Sequence, residues 1–169
     1  FLIMRLLIYI SNLGLGGTEK RVFEFIDEAI NDNHNLIDVC IVTSDGVGNF
    51  FHRIKKIESV KLILVRKSYY FKVLDIFKAI KQFQPDIVHV YTFVAGTYVS
   101  VLSKLLNVKH IIISTGASYI SKNYIFYKLV VFFYKYILTF VSIFITNSYS
   151  GKNFLKNKAG LDEKKILVI

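Results

Sequence analysis

Short apolar runs rich in Ile and Val recur along the chain. Between them, apolar residues return every three or four positions. The runs Arg5–Ser11, Leu36–Thr43, Lys61–Val65, Asp86–Tyr91, His110–Ser114, Ser142–Asn147 and Lys165–Ile169 are β-branched and end at polar or Gly residues. Such runs predict strands. They are continuous more than alternating, as in a parallel sheet covered on both faces. The intervening segments predict helices. Val22, Phe23, Ile26, Ala29 and Ile30 make one apolar face, with Glu24, Asp27 and Glu28 outside. Thr18 or a neighbouring Gly starts that helix. Tyr70, Val73, Phe77 and Ile80 make the next face, and the helix ends before Pro85, the only proline. Gly96–Asn107 and Ser148–Ala159 complete the set. This β-α order implies right-handed crossovers. The predicted fold is α/β: a Rossmann-like, doubly wound, mainly parallel sheet with helices on both faces, with residues 1–169 as one domain. Ligands then bind at the carboxyl ends of the strands.

One stretch departs from the rhythm. Asn123 to Thr146 contains only two charged residues, Lys128 and Lys135, and is long enough for a membrane span. Each lysine inside a span would cost about 2.5–3.5 kcal/mol. The second part is β-branched and bounded by Asn147 and Ser148. A helix near Ser121–Leu138, followed by the strand Ser142–Asn147, fits better. On a helical wheel Tyr124, Lys128 and Lys135 share one side, and Leu129, Phe132 and Phe133 are among the apolar remainder. That pattern predicts a helix lying on an anionic membrane surface. A core helix with snorkelling lysines is the alternative.

The chain has 169 residues, 53% hydrophobic and 20% charged, which suits one packed domain. Net charge is +10, unevenly spread. Residues 1–86 hold twelve Lys and Arg against ten Asp and Glu, whereas Ile87–Leu161 holds eight lysines and no acidic residue. Such a half attracts phosphates or anionic lipid. No recognised nucleic-acid motif accompanies the lysines, so nucleic acid is not an expected partner. The single cysteine, Cys40, lies in an apolar run, which excludes an internal disulfide. His34, His52, His89 and His110 lack ligand-like spacing, so no metal site is expected. His89 alone points toward a probable site edge, where a satisfied core histidine is the simpler role. The opening Phe-Leu-Ile-Met-Arg lacks the features of a secretory signal, and Met4 reads as the natural start.

Candidate chemistry concentrates in Gly14–Glu19, between the first strand and the first helix. Glycines there allow positive φ and close approach of a ligand to backbone N–H groups. The following helix points its N-terminus at the same spot. A Walker loop is absent, because Gly-x4-Gly-Lys-Ser/Thr does not occur. A dinucleotide fingerprint fails because Glu19 stands in the place of the third glycine. What remains is Gly16-Gly17-Thr18-Glu19.

The string Asn12-Leu-Gly-Leu-Gly-Gly-Thr-Glu-Lys-Arg-Val resembles the Gly-Gly-x-Glu-Arg segment of glycosyltransferase family 4. Further segments resemble the family in register: Gln84-Pro-Asp-Ile-Val-His-Val-Tyr, Ile112-Ile-Ser-Thr-Gly, Phe144-Ile-Thr-Asn-Ser-Tyr-Ser and Lys165-Ile-Leu-Val-Ile. The resemblance implies the N-terminal, acceptor-side half of a two-domain GT-B fold. It implies a retaining enzyme that uses a nucleoside-diphosphate sugar as donor substrate, without a cofactor. Gly16, Gly17 and Thr18 would meet the donor diphosphate. Tyr91, Thr92, Phe93, Thr115, Gly116 and Ser148 would contact a glycan or lipid-linked acceptor. The donor-binding C-terminal domain, with its paired glutamates, would be supplied in cis or in trans. The lone thiol suits a reducing, cytoplasmic compartment, and the acid-free second half with the Tyr124, Lys128 and Lys135 stripe predicts peripheral association at the inner face of the cell membrane. Tyr91 stands where a second histidine is frequent, and Thr115-Gly116-Ala117 replaces another histidine, so no catalytic residue is assigned. Two alternatives are half of a GT-B-fold sugar-nucleotide epimerase and a non-catalytic, membrane-recruiting subunit of a split enzyme.

Overall fold

A computed structural model describes residues 3–31, 37–115 and 124–169. Its strands are β1 (Met4–Ile10), β2 (Ile37–Thr43), β3 (Val60–Leu64), β4 (Ile87–Tyr91), β5 (His110–Thr115), β6 (Ile143–Thr146) and β7 (Ile166–Val168). Its helices are α1 (Gly17–Asn31), α2 (Asn49–Ile54), α3 (Tyr69–Phe83), α4 (Phe93–Leu105), α5 (Tyr124–Phe132) and α6 (Tyr149–Asn157). The strands form one parallel sheet in the order β3-β2-β1-β4-β5-β6-β7. Strand order reverses between β1 and β4, which is where ligands bind in open α/β sheets.

The two faces are covered unequally. Leu7, Tyr9, Val88, Val90, Ile113 and Phe144 point to one face and pack under α3, α4, α6 and the segment after β5. Leu6, Ile8, Ile10 and Ile41 point to the other, where Val22, Phe23 and Ile26 of α1 and Phe51 and Ile54 of α2 cover them. Among the described residues nothing covers this second face over β5–β7. There Ile112, Ile143 and Ile145 are half-buried, and Leu167 and Ile169 are exposed. Handedness explains the asymmetry. Right-handed crossovers that step from β4 toward β7 all place their helices on the same face. Among the described residues, helices therefore cover both faces over β3, β2, β1 and β4.

Two elements differ from the pattern in the sequence. The short helix α2 was not expected. It buries Phe50, Phe51 and Ile54, and six residues are too few for a periodic signal. Helix α4 begins at Phe93, not Gly96, because the Thr92 hydroxyl caps it by accepting from the Ala95 N–H at 3.3 Å.

The expected long helix ends early. A π-helical turn, Phe133–Ile137, and a 3-10 turn, Leu138–Phe140, follow α5. Val130, Tyr134 and Leu138 are buried at a spacing of four. Tyr134 stacks on Phe93 with ring centroids 4.0 Å apart and donates to the Phe93 carbonyl at 2.7 Å. Among the described residues no helix is long and apolar enough to cross a membrane. Cys40 is buried, and loss of hydration pushes its thiol up to about 12.

Among the described residues, the glycines in left-handed backbone are Gly48 and Gly160, not Gly16 or Gly17. At Gly48, φ is +123° and ψ 158°, and a Cβ would run into the Leu13 carbonyl. Gly48 thus lets the loop after β2 pack against the loop after β1. Phe51 N–H donates to the same Leu13 oxygen at 3.4 Å. Gly48→Ala is expected to lower stability by about 1–3 kcal/mol, read as a shift in the urea midpoint. An unchanged midpoint would show that the loop relaxes freely.

Candidate functional site

The carboxyl ends of β4, β5 and β6 meet beside α1 in a cleft of about 370 Å³. Thr18, Arg21, Phe25 and Glu28 line it from one side of α1. His89 and Tyr91 line it from β4, Ser114 and Thr115 from β5, and Asn147 and Ile169 from beyond β6 and β7. A smaller cavity of about 140 Å³ adjoins it, bordered by Ser11, Asn12, Thr18, Tyr91 and Thr92. Register explains the gathering. Ile10 pairs with Tyr91, and Tyr91 with Ser114, so these side chains share one face and one level of the sheet.

Gly16 caps α1. Its carbonyl accepts from the Lys20 N–H at 3.0 Å, the first intrahelical bond. The N–H groups of Gly17, Thr18 and Glu19 precede that bond and have no intrahelical acceptor. A Cβ on Gly16 would meet the Glu19 carboxylate, which folds back over the cap. A Cβ on Gly17 would meet nothing within 4 Å. Gly17 is therefore not needed for the local fold. The space above it is open.

The remaining predicted residues are placed differently from one another. Tyr91 and Thr115 line the main cleft, and Tyr91 and Thr92 the smaller cavity. The hydroxyls of Thr92 and Ser148 are helix caps. Ser148 accepts from the Gly151 N–H at 3.1 Å, so each hydroxyl still has its own proton to donate. Phe93 does not turn toward the cleft. Its ring is 5% exposed and stacks on Tyr134, so it serves packing. Gly116 and the side chain of Tyr124 lie outside the described residues. Lys128 of α5 and Lys135 of the π-helical turn are exposed. The stem of Lys135 lies along Gly160, and its ammonium sits 5.0 Å from the Tyr136 ring.

His89 and Arg21 carry the cleft's electrostatics. His89 Nε2 lies 2.7 Å from Ser114 Oγ, and its ring lies against Tyr91, tilted by 32° with centroids 4.1 Å apart. Burial pushes the imidazole down to about 4, so it is neutral at pH 7. Burial pushes Tyr91 up to about 12, against the pull of the nearby Arg21 cation. Arg21 makes no ion pair among the described residues, and its neighbours on the wall include Glu24 and Glu28. Arg21 was missed in the sequence, although its spacing from Thr18, Phe25 and Glu28 places it on their side of a helix.

A family model for glycosyltransferase family 4 matches residues 15–169. The chain belongs to glycosyltransferase family 4. No curated protein matches it in sequence. Among solved structures, a glycosyltransferase from Rickettsia africae is 20% identical, with a TM-score of 0.70 over 100% of this chain and 43% of its own. Anabaena HepE in complex with UDP is 14% identical, with a TM-score of 0.70 over 99% of this chain and 43% of its own. A UDP-GlcNAc 2-epimerase from Methanocaldococcus jannaschii is 17% identical, with a TM-score of 0.62 over 98% and 45%. At these identities the likeness is one of fold. This family 4 chain spans less than half the length of each of these proteins.

Proposed function

We propose that this family 4 chain is the acceptor-side domain of a retaining glycosyltransferase, working opposite a donor-binding GT-B domain supplied in cis or in trans. The donor is a nucleoside-diphosphate sugar, and the acceptor a glycan or lipid-linked glycan. The observation that carries the reading is the open space over Gly17 at the start of α1, beside the cleft at the strand ends. The N–H groups of Gly17 and Thr18 meet the donor diphosphate there, with no cofactor needed to do so. An acceptor hydroxyl oxygen bonds the anomeric carbon as that carbon's bond to the diphosphate breaks. The nucleoside diphosphate leaves with the electron pair and takes up the hydroxyl proton. Tyr91, Thr92, Thr115, Gly116 and Ser148 hold the acceptor. The uncovered sheet face at Ile145, Leu167 and Ile169 leaves room for the second domain beside the cleft.

Nucleoside-diphosphate release is measured with both halves present, with and without acceptor glycan. The expected result is acceptor-dependent release and a product that keeps the donor's anomeric configuration. An inverted product removes the retaining assignment. Acceptor-independent conversion of the donor into its epimer overturns the reading in favour of an epimerase.

A further inference from the structure

On the sheet's other face, α3, α4 and α5 enclose a groove of about 680 Å³. Tyr70, Val73 and Leu74 of α3, Val101 and Leu102 of α4 and Leu129 of α5 supply most of its wall. Its lips are apolar and wet: Tyr70 is 80%, Leu74 52% and Leu129 53% exposed. Contiguous apolar surface left in water marks a binding surface. The groove's volume falls within the range of about 300–1,000 Å³ that holds a buried small ligand.

The groove runs into the candidate site. A cavity of about 410 Å³ lies between them and shares Tyr69, Val94 and Tyr98 with the groove. At its other end it shares Ser11 and Thr92 with the small cavity beside the cleft. Tyr69 and Tyr98 stand edge to face at this passage, 5.9 Å apart, and Tyr98 is held by the Tyr9 hydroxyl at 3.2 Å. Lys72 is the one charged residue lining the passage, and it makes no ion pair among the described residues. No acidic residue lines the passage or the groove.

The path is hydroxyl-lined at the cleft, cationic in the middle and apolar beyond. An amphipathic molecule with a phosphate between sugar and hydrocarbon has the same order. We propose that the groove holds the hydrocarbon chain of a lipid phosphate-linked acceptor, with the phosphate at Lys72 and the accepting sugar at Thr92 and Tyr91. The inference rests on the glycosyltransferase reading and names its acceptor class. A single chain fits better than a bilayer surface, because the groove is concave, walled by three helices and open at one end to the polar site.

The test is calorimetric titration of the protein with farnesyl phosphate below its micelle concentration, with farnesol and inorganic phosphate as controls. Leu74→Glu and Leu129→Glu change exposed lip residues, and thermal melts verify that both variants fold. Each is expected to lose at least 10-fold in farnesyl phosphate affinity. Lys72→Gln is expected to weaken farnesyl phosphate several-fold and leave farnesol unchanged. Unaltered farnesyl phosphate affinity in both lip variants overturns the proposal. So does farnesyl phosphate binding no tighter than inorganic phosphate. Lip variants that lose only sedimentation with phosphatidylglycerol vesicles overturn it in favour of bilayer contact. Nucleotide-sugar turnover on a soluble glycan separates the two readings. Turnover without farnesyl phosphate binding removes the groove assignment alone, and groove binding with no turnover on any acceptor removes the glycosyltransferase reading.

Discussion

Replacing Gly17 with valine is expected to cut sugar transfer by about 100- to 1,000-fold, the loss seen when one hydrogen-bond donor to a developing oxyanion is taken away. The protein should keep its stability. A Cβ on Gly17 meets nothing within 4 Å, and Gly17 does not occupy left-handed backbone. Valine is also a better helix former than glycine, by a few tenths of a kcal/mol. Its branched side chain instead fills the open space where the diphosphate would reach the N–H groups of Gly17 and Thr18. Transfer kinetics and a thermal melt on the same preparation check both halves of the expectation. Wild-type turnover by Gly17→Val would show that the donor never approaches α1, and a large drop in melting temperature would show a structural role instead.

The second large effect is on stability as pH falls. The folded-state pKa of His89 is about 4, depressed by burial, against about 6.5 when unfolded. A depressed pKa gives stability that is fully present above the unfolded value and lost as pH falls through the folded one. The protein should therefore be flat in stability above about pH 6.5 and lose about 3 kcal/mol by pH 4 on account of His89. That is a large share of the roughly 5–15 kcal/mol that holds a domain together. His89→Gln keeps a polar group facing Ser114 and cannot titrate in this range, so it should remove the step. Urea midpoints at half-unit pH intervals decide it. An equal acid step in His89→Gln would assign the loss to carboxylates elsewhere.

The fold was legible because its inner strands β1, β2 and β4 carry packed apolar residues on both faces. Ile37–Thr43 and Ile87–Tyr91 appear as apolar runs with little else in them, and their boundaries fall within a residue of those expected. Local signals also found the serine that opens α6. They failed where the deciding contact is distant in sequence. The demanding glycine is Gly48, because its obstacle is the carbonyl of Leu13, on another loop. Gly16 and Gly17 look more strained in the sequence and are not. The start of α4 was missed because Thr92, Phe93 and Val94 continue a strand-like composition, and only the Thr92 cap reveals the turn. In the cleft, Tyr91 was found as a strand-end residue. Arg21 and Ser114 were passed over because each takes its meaning from neighbours on other elements.

Strand β1 has a temporal consequence. It lies inside the sheet between β2 and β4, so its two edges find their partners at different moments of synthesis. One flank is tied down when the Ser44 hydroxyl donates to the Ser11 carbonyl, 33 positions away. The other waits for the Asp86 carboxylate to accept from the Arg5 N–H, 81 positions away. The longer closure costs under about 1 kcal/mol more in chain entropy, so equilibrium is barely affected. At about 5–20 residues per second, however, the second partner leaves the ribosome roughly 4–16 s after β1. During that interval an apolar strand edge is bare on a nascent chain, open to pairing with its copies or capture by a chaperone. The seam that finally closes it, between β1 and β4, ends at the small cavity beside the cleft.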